Sequence, residues 1–292
     1  MKRNYSGAPQ PFAGQKKEMF RKLLSERRAD GTIPYHPYQK WRGAHWVLWI
    51  LAEMGYPAGD RSLLPLREQV LGWLLSDGHL KSVKVLGNRA RRCGSQEGNA
   101  AWALMKLGLA DERVDRLLQN LMCWQWPDGG WNCDKHPAAD TSSFHETLPP
   151  LRALALHAKR NGNRDSQKAA KLAAEVFLCR RLFRGRRSGR IIDHSFVKLS
   201  FPSYWHYNIL AGLVAMNEAG FLGDPRCREA LDLLGSKQLP DGGWPAELRY
   251  YRVSSKLTTG TSIVDWGGTN AKRMNPWVTA KARAVLAAAG RA

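Results

Sequence analysis

No uninterrupted apolar stretch in the chain approaches the ~20 residues that a membrane-spanning helix requires. The opening stretch, "MKRNYSGAPQPFAGQKK", carries positive charge without the apolar core of a secretory signal. Five cysteines (Cys93, Cys123, Cys133, Cys179, Cys227) are odd in number and irregularly spaced, which argues against a disulfide framework and for a reducing compartment. Strand-type alternation is nearly absent, so no sheet is expected to carry the core. These shortages together predict a soluble, cytoplasmic, helical protein. Acidic residues are also scarce: 25 Asp and Glu stand against 45 Lys and Arg, leaving a formal charge of +20.

Of the 292 residues, 43% are hydrophobic, enough for a sizeable core in one large domain or two small ones. The positive excess is concentrated in "RARRC", ending at Cys93, and in "CRRLFRGRRSGR", from Cys179 to Arg190. Such charge favours an anionic partner: nucleic acid, an acidic lipid surface or a small diphosphate. The alternative is a solvated basic surface with no specific partner.

Two kinds of helical run alternate. One kind ends near residues 75, 122, 180 and 235, as in "LREQVLGWLLSDGHL". The other is richer in aromatic and small residues: "YQKWRGAHWVLWILAEMG", "EGNAAWALMKLGLA", "SSFHETLPPLRALALHA", "PSYWHYNILAGLVAMNEAG" and "NPWVTAKARAVLAAAG". Most stop at or near Gly, a common helix terminator. The pattern predicts about five helical hairpins, preceded by an N-terminal extension over residues 1–30 that holds one helix. The segment from Tyr250 to Asn275 is too long for a mere connector and is expected to cover a site.

One motif occurs twice, as "QWPDGGWNCD" from Gln125 and "QLPDGGWPAE" from Gln238. Pro, Asp and Gly make "PDGG" a turn. Gln and Trp need another reason. At a helix end, Gln can bond backbone groups left without intrahelical partners, and Trp can bury a large face against the next helix. The motif is therefore expected to tie neighbouring hairpins together.

Gln-x-Pro-Asp-Gly-Gly-Trp resembles the QW motif, Gln-x-x-Asp-Gly-x-Trp, of squalene and oxidosqualene cyclases, a superfamily that includes protein prenyltransferase beta subunits. The resemblance extends over roughly residues 38 to 290. It implies an all-α, α/α-toroid fold of five to six hairpins over residues 31–292, with inner helices around a central cavity and outer helices outside. It also implies an apolar, isoprenoid-like ligand and terpenoid cyclisation or prenyl transfer. Neither family's catalytic motif is present: the cyclase Asp-x-Asp-Asp is missing, as is the prenyltransferase Asp-x-Cys.

Under that resemblance, starts of inner helices ring one mouth, and the chemistry-bearing residues there are the site candidates. His145, Glu146, His206 and Asp265 are expected as acid, base or metal-ligand groups; a carboxyl desolvated near Trp gains the raised pKa a proton donor needs. The sequence leaves the cofactor open; the zinc of protein prenyltransferases has a compatible set in Cys133, His145 and His206, since Cys and His are its preferred ligands, although the Asp-x-Cys spacing is missing. Trp46, Trp49, Trp102, Phe144, Tyr204, Trp205, Tyr207 and Trp277 are expected to line a roomy aromatic cavity, the role that twelve tryptophans suggest. Arg180, Arg181, Arg184 and Arg186 are expected to hold a phosphate or diphosphate.

Two alternatives stand beside the enzyme. A non-catalytic binding or scaffold toroid accounts for the missing catalytic motifs, and a nucleic-acid-binding protein accounts for the Arg-rich face, though without a recognised motif. A protein partner or a second copy of the chain is also compatible with its shortness against a full cyclase.

Overall fold

The computed structural model describes residues 13–291. Its helices are α1 (Ala13–Leu24), α2 (Ala44–Glu53), α3 (Leu64–Leu74), α4 (Asp77–Lys81), α5 (Gly94–Lys106), α6 (Glu112–Trp124), α7 (Phe144–Asn161), α8 (Arg164–Leu178), α9 (Ile209–Glu218), α10 (Arg228–Ser236) and α11 (Pro276–Ala288). The expected outer-helix ends correspond to the ends of α3, α6, α8 and α10, and α1 is the helix expected before residue 31. Strand structure is confined to two small pairs: antiparallel β1 (Lys84–Leu86) with β2 (Arg89–Arg91), and parallel β3 (Arg252–Val253) with β4 (Thr261–Ser262). The protein is all-α in class, and no helix is long and apolar enough to cross a membrane among the described residues.

Burial separates the two helix types. In α6 the buried residues are Val114, Leu117, Leu118 and Leu121, one stripe at helical spacing, as in a helix with one face to solvent. In α2 every residue from Ala44 to Ala52 is buried. Caps fix the starts: Asp111, Asn163, Asn208 and Asn275 each accept a backbone N–H of the following first turn. Helices α2, α5, α7, α9 and α11 pack side by side in that order, while α3, α6, α8 and α10 lie against them. Gly98 lets α5 and α7 meet closely, since a Cβ there would stand 2.5 Å from the backbone nitrogen of Pro150.

Where these inner helices converge, four of them contribute charge. Arg152 of α7 donates to Glu218 of α9 at 2.6 and 2.8 Å and to Glu53 of α2 at 2.9 Å. Lys281 of α11 also donates to Glu53. The fifth helix, α5, supplies Trp102, whose ring lies 4.0 Å from the Arg152 guanidinium. Burial alone would raise the Glu53 carboxyl, but Arg152 and Lys281 hold it down at about 2. One void at this cluster, lined by Glu53, Arg152 and Lys281, is about 10 Å³, while Glu53 and Lys281 also border a groove of about 580 Å³. Opposite charges and packed rings thus occupy part of the convergence where a roomy cavity is expected from the sequence.

The doubled motif makes the same bonds twice. Trp131 Nε1 donates to the Leu121 carbonyl at 2.9 Å, and Trp244 Nε1 to that of Leu234 at 2.8 Å. The backbone N–H of each tryptophan donates to a threonine of the next inner helix, Thr147 at 3.1 Å and Thr279 at 2.8 Å. Gln125 Nε2 reaches Gly129 in its own turn and Ala169 on α8, whereas Gln238 reaches only its own turn, at Gly242. Each tryptophan is thus fastened to its own outer helix and to the next inner one. The first motif also ties in the following outer helix.

A candidate metal centre at the helix starts

Starts of successive inner helices are bonded to one another. His45, in the first turn of α2, donates from Nε2 to the Gln96 carbonyl at 2.7 Å and accepts the Tyr204 hydroxyl at Nδ1. The Ser95 N–H of α5 donates to Glu146 Oε2 of α7 at 3.0 Å. The Tyr207 N–H, just before α9, donates to His145 Nδ1 at 2.9 Å. Segment 250–275 closes over this end: Trp41 Nε1 donates to the Tyr250 carbonyl at 3.2 Å and Arg42 to that of Ser255 at 3.1 Å.

Within this end, Cys93, Cys133 and Glu146 converge, with one ligand atom of each lying within 4.8 Å of the others. Cys93 sits just before α5, Cys133 in the loop after the first Trp motif, and Glu146 in the first turn of α7. Cys133 Sγ is 3.8 Å from Glu146 Oε1. Ligands on a tetrahedral zinc, with Zn–S near ~2.3 Å and Zn–O near ~2.1 Å, stand roughly 3.6 Å apart. The separation and donor types therefore fit zinc.

The electrostatics distinguish the three groups. The hydrogen bond from the Cys93 thiol lowers Cys133 and raises Cys93, so Cys133 is the readier thiolate. Glu146 is raised by burial, with nearby Glu97 adding to the effect. Glu97 is fully buried; its Oε1 accepts from Arg92 Nε at 3.0 Å and Nη2 at 2.6 Å, and from His79 Nε2 at 3.0 Å. Its Oε2 has no partner among the described residues. Tyr38 stands nearby, its hydroxyl raised by burial and then by Glu146 and Cys93, so it keeps its proton.

The other expected site residues are distributed differently. His145 and His206 both contact the Trp205 ring, at 5.5 and 3.8 Å between centroids, but they do not join Cys133 in a ligand cluster. His145 Nδ1 is taken by Tyr207, while His206 directs Nδ1 to the Ser203 carbonyl at 3.2 Å and is stacked on Tyr250. Burial lowers both, His206 to about 3, which leaves them neutral at pH 7. Asp265 is exposed and caps its own turn at Gly267, so it is not a desolvated acid. Of the metal set expected from sequence, Cys133 remains, joined by Cys93 and Glu146.

The expected cavity aromatics are largely packed against one another. Tyr204 stacks on Trp46 and meets Trp49 edge-on at 5.0 Å; the void beside the two tryptophans is about 10 Å³. Phe144 is enclosed by Phe177, Phe196 and Tyr207. Trp277 differs, bordering an open groove of about 580 Å³. Among the arginines, Arg184 and Arg181 turn to Glu229, whereas Arg180 and Arg186, with Arg187, line a groove of about 680 Å³. Arg89 and Arg91 lie over Trp126 of the first motif and Arg92 over Trp124.

Sequence reasoning does not single out Cys93, although one signal marks it: it immediately precedes an inner helix, as Glu146 nearly begins the next. No protein-family model matches the chain, and no curated protein matches it either.

Proposed function

We propose that the chain is a zinc-bearing helical toroid, prenyltransferase- or squalene-cyclase-like in build, that acts on an apolar, isoprenoid-like substrate with an anionic head. The convergence of Cys93, Cys133 and Glu146 carries this reading. The build is supported by the twin Trp clasps and by five inner helices packed in series. Three protein ligands are the pattern of a catalytic zinc site, and a zinc held by Cys93, Cys133 and Glu146 would supply Lewis acidity there.

The chain's own residues support those three. The Ser95 N–H fixes one oxygen of Glu146, while Arg92 and His79 anchor Glu97. Tyr38, kept protonated, offers a hydrogen-bond donor at the same end. Arg180 and Arg186 are the groups for an anionic head.

Elemental mass spectrometry of protein purified without chelators tests the centre. About one zinc per chain is expected, falling at least tenfold in Cys133→Ser and in Cys93→Ser, with cobalt substitution giving thiolate charge-transfer bands. Absence of stoichiometric metal, or full zinc content in both variants, defeats the reading. Turnover of farnesyl diphosphate, lost in the same variants, tests the substrate class.

A second reading, a non-catalytic scaffold, is favoured by one observation: charge fills the place where a toroid would be hollow. Zinc binding without turnover of any prenyl diphosphate separates it from the first.

A further inference from the structure

Two of the five cysteines are held on neighbouring chain segments. Arg91 and Asn132 form a parallel bridge, and the Arg92 N–H donates to the Asn132 carbonyl at 3.1 Å, so Cys93 and Cys133 each directly follow a residue of that hydrogen-bonded contact. Extended segments paired in this way run ~4.8 Å apart, inside the ~4.4–6.8 Å that a disulfide spans between Cα atoms. The two sulfurs already lie within 4.8 Å of one another. Cys93 is the N-cap of α5, where its side chain makes no cap bond, and Cys133 stands in the loop ahead of α7, so bringing the sulfurs to bonding distance unwinds no helix.

Reach differs between the two. Arg92 and Gly94, which flank Cys93, are buried, whereas residues 134–138, directly after Cys133, are exposed. The remaining cysteines are placed otherwise: Cys123 is exposed on α6, and Cys179 and Cys227 each donate to a backbone carbonyl of their own segment, those of Val176 and Phe221.

We propose that Cys93 and Cys133 are a reversible dithiol–disulfide pair, oxidised by a peroxide, whose closure empties the metal centre. The pairing stands on geometry alone; its effect on metal rests on the zinc reading above, since a disulfide removes two of the three ligands and leaves Glu146. Cys133, the more reachable sulfur, attacks one peroxide oxygen as its thiolate. The S–O bond forms, the O–O bond breaks, and the hydroxide released takes up the proton the thiol gave up and leaves as water. The Cys93 sulfur then attacks the resulting sulfenic sulfur: the S–S bond forms, the S–O bond breaks, and the second hydroxide leaves as water with the Cys93 proton. Two thiols are oxidised and one peroxide is reduced to two waters. A small thiol of the glutathione class reverses the change by exchange, two of its molecules becoming one disulfide. Sulfurs engaged in coordination are withheld from the oxidant.

The test adds hydrogen peroxide in about equimolar amount to the full chain, once stripped with EDTA and once loaded with zinc. Unreacted thiols are capped with N-ethylmaleimide before intact-mass analysis and peptide mapping. The stripped protein should lose the mass of two hydrogens, carry three caps in place of five and yield a Cys93–Cys133 crosslinked peptide, all reversed by dithiothreitol. The zinc-loaded protein should react at least tenfold more slowly. Cys93→Ser should stop at the Cys133 sulfenic acid, trapped by dimedone, and Cys123→Ser should leave the crosslink unchanged. The crosslink is read on the unaltered sequence, so the outcome does not depend on how a variant folds. No Cys93–Cys133 crosslink in the stripped, peroxide-treated protein, or either cysteine joined to Cys123, Cys179 or Cys227 instead, overturns the pair whatever the zinc content. A crosslink that forms equally fast with and without zinc upholds the pairing while defeating the zinc reading and the release of metal.

Discussion

Replacing Glu53 by Gln removes one charge from the buried cluster while keeping its shape. The carboxylate receives Arg152 at 2.9 Å and Lys281, and its folded pKa is about 2 against an ordinary 4.5. A tenfold change in proton affinity corresponds to ~1.4 kcal/mol, so the ionised group contributes about 3 kcal/mol at pH 7. Because the folded pKa is depressed, that stabilisation is fully present above pH 4.5 and is lost as pH falls toward 2. Glu53→Gln should therefore destabilise the protein by about 3 kcal/mol at pH 7 and by about 2 kcal/mol at pH 3.5. Urea unfolding of both proteins, followed by tryptophan fluorescence and far-UV circular dichroism at the two pH values, measures this. A difference under ~0.5 kcal/mol at pH 7, or one that does not shrink on acidification, would refute the claim that Glu53 is held ionised by its partners.

Two further outcomes follow from the same structure. Trp131→Phe and Trp244→Phe each delete an indole bond to a buried helix carbonyl, and each should cost about 1–3 kcal/mol in thermal or urea unfolding; a large cost at one and none at the other would deny that the two clasps are equivalent. Burial lowers His45 to about 4 from 6.5, so the unfolded chain takes up its proton first and stability falls as pH drops below 6.5 toward 4. His45→Gln should flatten that slope, and an unchanged slope in pH-dependent melting would show that His45 is not its source.

Local patterns are readable in the sequence because each is decided within a few residues. The outer helices announce themselves by stripes such as Val114, Leu117, Leu118 and Leu121, and the clasps by a turn whose Gln and Trp have no local use. Nothing in the sequence pairs Cys93 with Glu146, since their proximity depends on α5 and α7 starting side by side, which packing decides. The aromatic residues mislead for a related reason: composition counts rings but not whether they face one another, and Trp46, Trp49 and Tyr204 do. The buried charges leave a trace that is legible in principle. Glu53 and Glu218 each precede a left-handed terminal glycine by two residues, Gly55 and Gly220, so both occupy the same place in their helices.

Glu53, Arg152, Glu218 and Lys281 also bear on how the chain can assemble. In an array whose units touch only adjacent units, stability accumulates piece by piece and a shortened array survives. Here a side chain near the end of the first arch is neutralised by one from the last, so a truncated or half-formed molecule keeps an uncompensated ion in its interior. Such a molecule is driven to complete itself or come apart as a whole, which makes the arches a single folding unit and leaves no permissive point for trimming hairpins away.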